Sequence, residues 1–318
     1  MRRVSAAGTP GPGDVSGSGG ARGRPSRYSV SGLLRPLAKL PGVGVASFVT
    51  ISVILLVAVV GPMVTPYDPV EQDFGALLAP PSAEHWLGTD QLGRDVFSRV
   101  VAGTRISLLI GVAAVLLAVT VGTVLGLLAG FLGGWVDTVI MRITDLFLAF
   151  PALILAMAVS AALGPSLLNV LIAVGAAWWP EYARLARSIG MVERHVQYVD
   201  AARGLGVRTV PILVTHVFPA AVPPLLVKAT MDVGLAIVYI AGLSFIGIGV
   251  QPPTPEWGLM ISDGRIYMQN AWWIATFPSL AILLTGFSFN LAGESLRDLL
   301  DPRHQATRKG TNAEPKLT

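Results

Sequence analysis

Long hydrophobic runs separated by short polar segments make up most of the sequence. Six of these runs are long enough to cross a bilayer, which takes ~20 apolar residues in a helix. They lie within 40–67 and 106–136 and at about 139–163, 167–188, 222–248 and 273–294. Gly164-Pro165 separates the third run from the fourth. Because lipid offers the backbone no hydrogen-bond partner, we expect every run to be an α-helix.

Composition agrees with this pattern. Hydrophobic residues make up 53% of the chain and charged residues 13%, and the mean hydropathy is +0.64. A soluble domain usually carries about twice that charged fraction. The sequence therefore predicts an all-α polytopic membrane protein with six transmembrane helices. The absence of cysteine excludes disulfides and thiolate metal sites, and the scatter of arginines over several loops argues against nucleic-acid binding.

The distribution of lysine and arginine predicts the orientation of the chain. These residues concentrate before the first run and between the fourth and fifth runs, and they are scarce in the loop after the third. Cytoplasmic loops carry the excess of positive charge. We therefore expect both termini to be cytoplasmic, with 68–105 and 249–272 outside.

The same reasoning divides the chain into four parts. Residues 1–35 are rich in Gly, Ser, Pro and Arg, which is typical of a disordered tail. The predicted parts are a basic cytoplasmic tail (1–40), the first helix with an extracytoplasmic segment (41–105), a transmembrane domain with a loop near 190–219 (106–295), and a cytoplasmic C-terminal tail (296–318).

A polar segment rich in small residues lies between the fourth and fifth runs. It reads Tyr198-Val-Asp-Ala-Ala-Arg-Gly-Leu-Gly206, and His216-Val-Phe-Pro219 follows. Alanine side chains let a partner surface approach the backbone, and glycine suits the left-handed position that ends a helix. An ordinary interfacial helix is the alternative. The candidate residues are Tyr198, Asp200, Ala201, Ala202, Arg203, Gly206 and Pro219, the last marking the start of the fifth span.

A second polar segment, His85-Trp-Leu-Gly-Thr-Asp-Gln-Leu-Gly-Arg-Asp95, precedes the second run. Two glycines allow tight turns, and we expect Asp90, Arg94, Asp95 and Arg99 to form an ion-pair network. The segment is either a surface near a docked receptor or gate, or a structural lid that fixes the first span against the second. We favour the lid. The candidate residues are Gly88, Thr89, Asp90, Gly93, Arg94 and Asp95.

Charged residues inside the apolar runs are costly in lipid and mark candidate sites. Arg142 with Asp145 and Lys228 with Asp232 have the spacing of pairs on one helix face. The second pair could line a pathway or stabilise packing, and packing is slightly favoured.

Three smaller motifs also carry predictions. Trp178-Trp179-Pro180 suggests an interfacial aromatic belt with a kink, and the glycines of 122–134 suggest close helix packing. The histidines do not cluster, so no metal site is predicted. No lysine follows a glycine, which excludes the phosphate-binding loop of ATPases.

The segment around Asp200 resembles the coupling loop of ABC importer permeases, in which Glu-Ala-Ala, three residues and Gly are followed by an apolar stretch closed by Pro. Three further segments resemble the dipeptide/oligopeptide/nickel subfamily of these permeases. They are the one from His85, the one from Leu243 to Gly258 and the one from Phe289 to Arg303. Asp200 stands where Glu is commoner, and Gly204 where Ala is usual. Glycine lowers helix propensity by about 1 kcal/mol against alanine.

This resemblance implies a type I ABC importer permease fold and the C-type subunit of a heterodimer. The implied partners are a second permease subunit, two cytoplasmic ATPase domains or subunits, an extracytoplasmic solute-binding protein and the lipid bilayer. No cofactor is implied. Di- or oligopeptides are the implied solutes, with nickel or another small solute as the alternative. An ATP-independent secondary transporter or channel, or a structural or sensory membrane subunit, is the alternative from another class.

Overall fold

A computed structural model of the protein describes residues 42–300, and the predictions for the N-terminal tail and for residues 301–318 lie outside that range. The described chain is helical and contains no β-strand, so the all-α prediction is confirmed. Its helices are α1 (Gly42–Val64), α2 (Val96–Leu132), α3 (Gly134–Leu148), α4 (Ala152–Leu163), α5 (Leu167–Glu193), α6 (Gln197–Gly204), α7 (Thr209–Ile212), α8 (Phe218–Ile246), α9 (Trp257–Gly264) and α10 (Trp273–Leu300).

Four helical segments between residues 42 and 300 are long and apolar enough to cross a membrane. They are α1, α2, α10 and the continuous rod Thr209–Ile246, which joins α7 to α8. A fifth is present if α3 and α4 together form one broken span. The predicted fourth span corresponds to α5, whose second half carries Glu181, Arg184 and Arg187 and is therefore less apolar. The structure thus supports a polytopic membrane protein with four or five apolar spans.

The second span begins ten residues earlier than the hydrophobic pattern suggested. Asp95 caps α2 by accepting a hydrogen bond from the backbone N–H of Ser98 at 2.8 Å, which fixes the first turn. Ser98 and Arg99 are buried in protein. The hydrophobic pattern misses this turn because polar side chains interrupt the apolar run. In the structure, neighbouring parts of the protein bury these side chains.

The prediction of one helix over 139–163 is wrong. Pro151 lies in the break between α3 and α4, directly before the first residue of α4, and the axes of the two helices differ by 89°. Proline has no N–H to donate and disfavours the helical conformation of the residue before it, so the helix ends there. The predicted break at Gly164 is confirmed, with a φ of +89°.

The fifth span also extends further towards its N-terminus than predicted. Pro219 lies in the first turn of α8, but a π-helical turn at Leu213–Val217 links α8 to α7 without interruption. A proline at this position cannot donate to the carbonyl one turn back, and a wider turn accommodates the missing hydrogen bond. Pro219 therefore lies inside a rod of 38 residues and not at its start.

The core is centred on the contact between α2 and α5. Gly122, Gly126 and Gly130 lie one turn apart on α2 and face the backbone of α5 at Trp179, Ala183 and Arg187, so close that an added Cβ would overlap carbonyl oxygens. This confirms the prediction of close packing by these glycines.

The aromatic pair on α5 belongs to the same core. Trp178 and Trp179 are 5% and 8% exposed and pack against Tyr239 and Phe147, respectively. The predicted interfacial belt is therefore wrong, because both rings lie inside the protein.

Two polar regions lie at opposite ends of α2. At its N-terminal end, the segment 65–95 contacts α9 and the start of α10, through Arg94 to Asp263 and through Trp273 to Thr89. At its C-terminal end, Phe131 contacts Arg203 of α6. The fold therefore places the two polar segments singled out by the sequence at the two ends of one long helix.

Candidate functional site

The short helix α6 presents most of its residues to the surface. Val199 is fully buried and anchors the helix, whereas Asp200, Ala201, Arg203 and Gly204 are exposed. Gly206 has a φ of +80° and its N–H donates to the carbonyl of Arg203 at 2.9 Å, so it ends the helix as predicted.

The two alanines of α6 have different surroundings. Ala201 is exposed, but Ala202 is partly buried and packs against the apolar core. Only Ala201 therefore offers the small outward surface that the sequence suggested for both.

Arg203 attaches α6 to the body of the protein. Its guanidinium lies over the ring of Phe131 at 4.9 Å, donates to the carbonyl of Arg194 at 3.3 Å, and lies 3.8 Å from the carboxylate of Asp200. A cation over an aromatic ring contributes roughly 0.5–1 kcal/mol at an exposed site. Arg203 therefore connects α6 to the end of α2 through Phe131.

Tyr198 lies on the side of α6 that faces the rod containing α8. Its ring stacks on His216 with centroids 5.4 Å apart, and its hydroxyl donates to the carboxylate of Glu193. Burial, together with this hydrogen bond to Glu193, raises the pKa of Tyr198 to about 12. Tyr198 therefore stays a neutral hydrogen-bond donor at physiological pH.

An apolar surface continues from α6 along the following residues. Leu205 is 84% exposed and Val210 is 67% exposed. Where exposed apolar side chains form a contiguous patch, they mark a protein or membrane contact.

The segment before α2 forms a buried polar cluster at the other end of the molecule. The Asp90 carboxylate accepts from Arg94 Nε at 2.6 Å and lies 3.5 Å from Arg99 Nε, and Arg94 reaches Asp263 at 3.6 Å. Asp90, Arg94 and Arg99 are each at most 3% exposed. Burial raises the pKa of Asp263, although Arg94 opposes this shift. The predicted ion-pair network thus includes Asp90, Arg94 and Arg99.

Asp95 does not belong to that network. One of its oxygens caps α2, and the other lies 3.0 Å from Nδ1 of His85. The prediction grouped Asp95 with the arginines because these residues are close in sequence. In the structure Asp95 directly precedes α2, so its carboxylate accepts from a free N–H group of the first helical turn.

Gly88, Thr89 and Gly93 fit this segment to the rest of the fold. Both glycines have positive φ, +75° and +71°, and a Cβ on Gly93 would overlap the Asp73 carbonyl. The Thr89 carbonyl accepts from Trp273 Nε1 at 3.0 Å. Arg99 also donates to the carbonyl of Pro69 at 2.8 Å. Because these residues are buried in internal contacts, the arrangement favours the lid over an exposed docking surface.

Glu256 is a residue whose role the sequence did not reveal. It is fully buried, caps α9 by accepting from the N–H groups of Gly258 and Leu259 at 2.9 Å each, and lies 3.4 Å from Ser107 Oγ. Burial raises the pKa of Glu256, and its hydrogen bonds oppose that shift. The sequence offered no N-cap signal here, since Glu is not among the preferred N-cap residues.

An open cleft of about 870 Å³ lies between α8 and α10. Lys228 and Asp232 line it, and Lys228 Nζ is 3.0 Å from the Asp232 carboxylate, so the predicted pair forms. Two residues of α5 complete the group: Glu181 accepts from Lys228 at 2.8 Å, and the Tyr182 hydroxyl donates to Asp232 at 2.6 Å. Sequence spacing reveals pairs within a helix and misses partners on another one.

The other predicted pair is wrong for the same reason. Asp145 accepts from Arg184 of α5 at 2.7 Å, not from Arg142. Arg187 of α5 likewise donates to Asp137 of α3, at 2.7 Å through Nη2. The charged half of α5 is therefore neutralised largely by α3.

The sequence is similar to known membrane transport proteins. The family described as Binding-protein-dependent transport system inner membrane component matches residues 122–305. The family described as N-terminal TM domain of oligopeptide transport permease C matches residues 43–81.

Three relatives illustrate the similarity. The Probable D,D-dipeptide transport system permease protein DdpC of Escherichia coli (strain K12) is 46% identical over 81% of this chain and 87% of its own length. The Di/tripeptide transport system permease protein DppC of Pseudomonas aeruginosa (strain UCBPP-PA14) is 46% identical over 79% and 84%. The Nickel transport system permease protein NikC of Escherichia coli (strain K12) is 43% identical over 80% and 92%.

Proposed function

Because the chain belongs to the family of binding-protein-dependent transport system inner membrane components, we propose that it is the C-type permease subunit of an ATP-driven importer of di- and oligopeptides. The observation that carries this proposal is the exposed helix α6, held at the end of α2 in a protein of this family.

The proposed solutes follow from the relatives. Relatives named for D,D-dipeptide, di/tripeptide and dipeptide transport are 43–46% identical to this chain. Nickel and glutathione permeases are 43–45% identical, so nickel or another small solute is the alternative.

The proposed role of α6 is to receive force from an ATPase subunit. Asp200, Ala201 and Arg203 are exposed on it, and the apolar residues Leu205 and Val210 continue its surface. Tyr198, Ala202, Gly206 and Pro219 would hold and shape this contact. ATP hydrolysis belongs to separate partner subunits in this proposal, since the chain has no phosphate-binding loop.

We further propose six spans in a type I importer permease fold. The span added to the five described above is α5, the fourth in chain order. Its charges are acceptable at membrane depth because Arg184 and Arg187 pair with aspartates of α3. The contacts among segment 65–95, α9 and the start of α10 support one common side for these elements, with α6 on the other. We assign the α6 side and both termini to the cytoplasm.

The proposed mechanism is alternating access and involves no chemistry on the solute. ATP binding closes two ATPase domains, their movement shifts α6, and the spans of this chain and a second permease subunit rock between two states. An extracytoplasmic solute-binding protein delivers the solute to the outward-facing state.

The test is purification of this chain from membranes, followed by an ATPase assay with a receptor loaded with alanyl-alanine. We expect an ATPase subunit to copurify and its activity to rise with the loaded receptor but not with the empty one. A stable lone chain that takes up alanyl-alanine without ATP would contradict the proposal and indicate a secondary transporter or channel.

A further inference from the structure

Helix α3 is almost perpendicular to the helix that follows it. The axes of α3 and α4 differ by 89°, and residues 149–151 separate the two helices. Helix α4 carries no charged residue, whereas α3 carries three. Because α4 crosses the membrane in the proposed fold, a helix at a right angle to it runs along the membrane and not across it.

The surface of α3 is divided into three faces, of which one contacts the protein. On this face Thr144 is buried, and Asp137 accepts from Arg187 of α5 at 2.7 Å. The ring of Phe147 packs against Trp179 of α5, with the ring centroids 5.4 Å apart. This face therefore attaches α3 to α5.

The second face of α3 is apolar and exposed. Its four side chains are 45–77% exposed and project within an arc of about 80°, at roughly 100° per residue. They are Trp135, Val139, Ile143 and Leu146. A contiguous apolar patch of this kind requires lipid or another protein to cover it.

The third face of α3 is polar and also exposed. Thr138, Arg142 and Asp145 project within an arc of about 60° that adjoins the apolar face. Asp145 pairs with Arg184 of α5 at 2.7 Å, and both side chains are more than half exposed, at 52% and 56%. Arg142 forms no ion pair within residues 42–300. Exposed charges are costly in lipid, so this face requires water or lipid headgroups.

An apolar face beside a polar face fits a helix that lies at the boundary between acyl chains and water. A helix that crossed the bilayer would present both faces to lipid at the same depth. The dimensions agree with the boundary position. Helix α4 has 12 residues and is about 18 Å long, and a helix is about 10 Å thick. Together α4 and α3 extend over about 28 Å, close to the ~30 Å hydrocarbon layer.

We propose that α3 lies in the plane of the membrane, with its apolar face inserted among the lipid acyl chains and its polar face in the headgroup layer. It lies on the side of α6, because α3 begins two residues after α2 ends and Phe131 of α2 contacts Arg203 of α6. The third proposed span then crosses the bilayer through α4. This inference goes beyond the importer function and does not depend on the solute.

The absence of cysteine allows a direct test, since one introduced thiol can carry a fluorescent label. Val139→Cys and Leu146→Cys form the α3 pair, and Ile154→Cys and Ala161→Cys form the matched α4 pair. Each pair consists of exposed positions seven residues apart on one helix. The labelled chain is reconstituted in vesicles of phosphatidylcholine and phosphatidylglycerol in equal amounts. The depth of each label is read from its quenching by lipids that carry nitroxides at different acyl positions, after subtraction of the signal from the cysteine-free chain.

We expect the two α3 labels to lie at the same depth, because a helix in the membrane plane holds the residues of one face at one level. The two α4 labels should differ in depth by about 10 Å, the rise over seven residues at 1.5 Å per residue. A difference of about 10 Å within the α3 pair would overturn the proposal. Absence of lipid quenching at both α3 positions would also overturn it, since another protein would then cover the apolar face.

Adjacent positions on α3 provide a second test. Thr138→Cys places a thiol on the polar face, and Val139→Cys places one on the apolar face. The vesicles are opened by freezing and thawing, so that the anionic reagent 2-sulfonatoethyl methanethiosulfonate reaches both sides. We expect Thr138→Cys to react at least about tenfold faster than Val139→Cys, because acyl chains exclude the charged reagent.

Equal reaction rates at the two positions would contradict the division of α3 into a lipid face and a water face. Uptake of alanyl-alanine by the same vesicles, supplied with ATP and the loaded receptor, separates this inference from the proposed function. The expected depths and rates in a chain that does not support uptake would overturn the importer and retain the position of α3.

Discussion

At the scale of single residues, the contact between α2 and α5 depends on the absence of side chains. A Cβ on Gly126 would overlap the carbonyl oxygen of Ala183 and would lie 2.8 Å from the Cβ of Ala186. Neither neighbour can move aside, because one is backbone and the other is a methyl group in a buried helix. The two helices would have to separate to admit a larger residue.

We therefore expect Gly126→Val to destabilise the protein by about 1–3 kcal/mol or more, as overpacking does in other cores. The measurement is the apparent Tm of the purified chain in detergent, which should fall by several degrees.

Gly242→Ala is the matched control for this substitution. Gly242 also lies inside a helix, α8, but an added Cβ meets nothing within 4 Å. The control should keep or raise the Tm, since alanine favours helices. A Tm for Gly126→Val equal to that of the control would contradict the close packing described for α2.

Some residue roles could be predicted from the sequence and others could not. Gly206 and the glycines of α2 were predictable, because left-handed helix ends and close helix packing strongly favour glycine. The partners of Lys228 and Asp145 were not, because Glu181 and Arg184 lie on another helix. Spacing along the chain contains no information on which faces of two helices meet.

At the scale of elements, α6 is a short helix attached by few contacts. Val199 anchors it by burial, and Arg203 connects it to Phe131 and to the carbonyl of Arg194. The exposed side includes Ala201, whose small size lets another backbone come close.

We expect Ala201→Arg to reduce alanyl-alanine uptake at least about tenfold, because a long charged side chain would disrupt the proposed contact with an ATPase subunit, and a lost contact of 1.4 kcal/mol corresponds to a factor of ten. Uptake and receptor-stimulated ATPase activity are measured together, with membrane insertion of the chain checked by its amount in the membrane fraction.

Ala201→Ser provides the control, since it keeps the small surface and should retain most of the uptake. Unchanged uptake in Ala201→Arg at equal membrane abundance would refute the assignment of α6 as the coupling contact. Gly206→Val should disturb the C-terminal end of α6, since the φ of +80° at this position disfavours a β-branched residue.

Element boundaries were predictable where local signals mark them. The fourth and sixth runs begin where α5 and α10 begin, and Ser166 caps α5 by accepting from the N–H of Asn169. The start of α2 was missed because Arg99 is buried by tertiary contacts, and the break at Pro151 was missed because the apolar run continues across it. Hydropathy predicts whether lipid or water surrounds a residue. It fails for a residue such as Arg99, which is surrounded by protein.

At the scale of the whole molecule, the segment 65–95 connects elements that are distant in sequence. Trp273 at the start of α10 donates to the carbonyl of Thr89, and Arg94 reaches Asp263 of α9. The ring of Trp273 also lies against Gly88, where a Cβ would meet Nε1 at 2.6 Å.

We expect Trp273→Phe to loosen this segment, because the Thr89 carbonyl would lose its indole donor at a cost of about 1–3 kcal/mol. Limited proteolysis of the purified complex should then cut within residues 65–95 faster than in the unsubstituted protein.

Trp272→Phe is the control for this experiment. Trp272 adjoins Trp273 but is 49% exposed, and no hydrogen bond of its indole is seen within residues 42–300. Equal cleavage rates in the two variants would show that the indole of Trp273 does not hold the segment.

The length of α2 has a thermodynamic consequence. Its 37 residues span about 55 Å, almost twice the hydrocarbon thickness of a bilayer. One end is capped within the buried polar cluster, and the other supports Arg203 through Phe131. Linkage is reciprocal. If binding at one end of α2 changes the free energy of binding at the other end, binding at that other end changes the free energy of binding at the first by the same amount. In the proposed importer, the factor by which a docked receptor alters the nucleotide affinity of the ATPase subunits must equal the factor by which nucleotide alters receptor affinity.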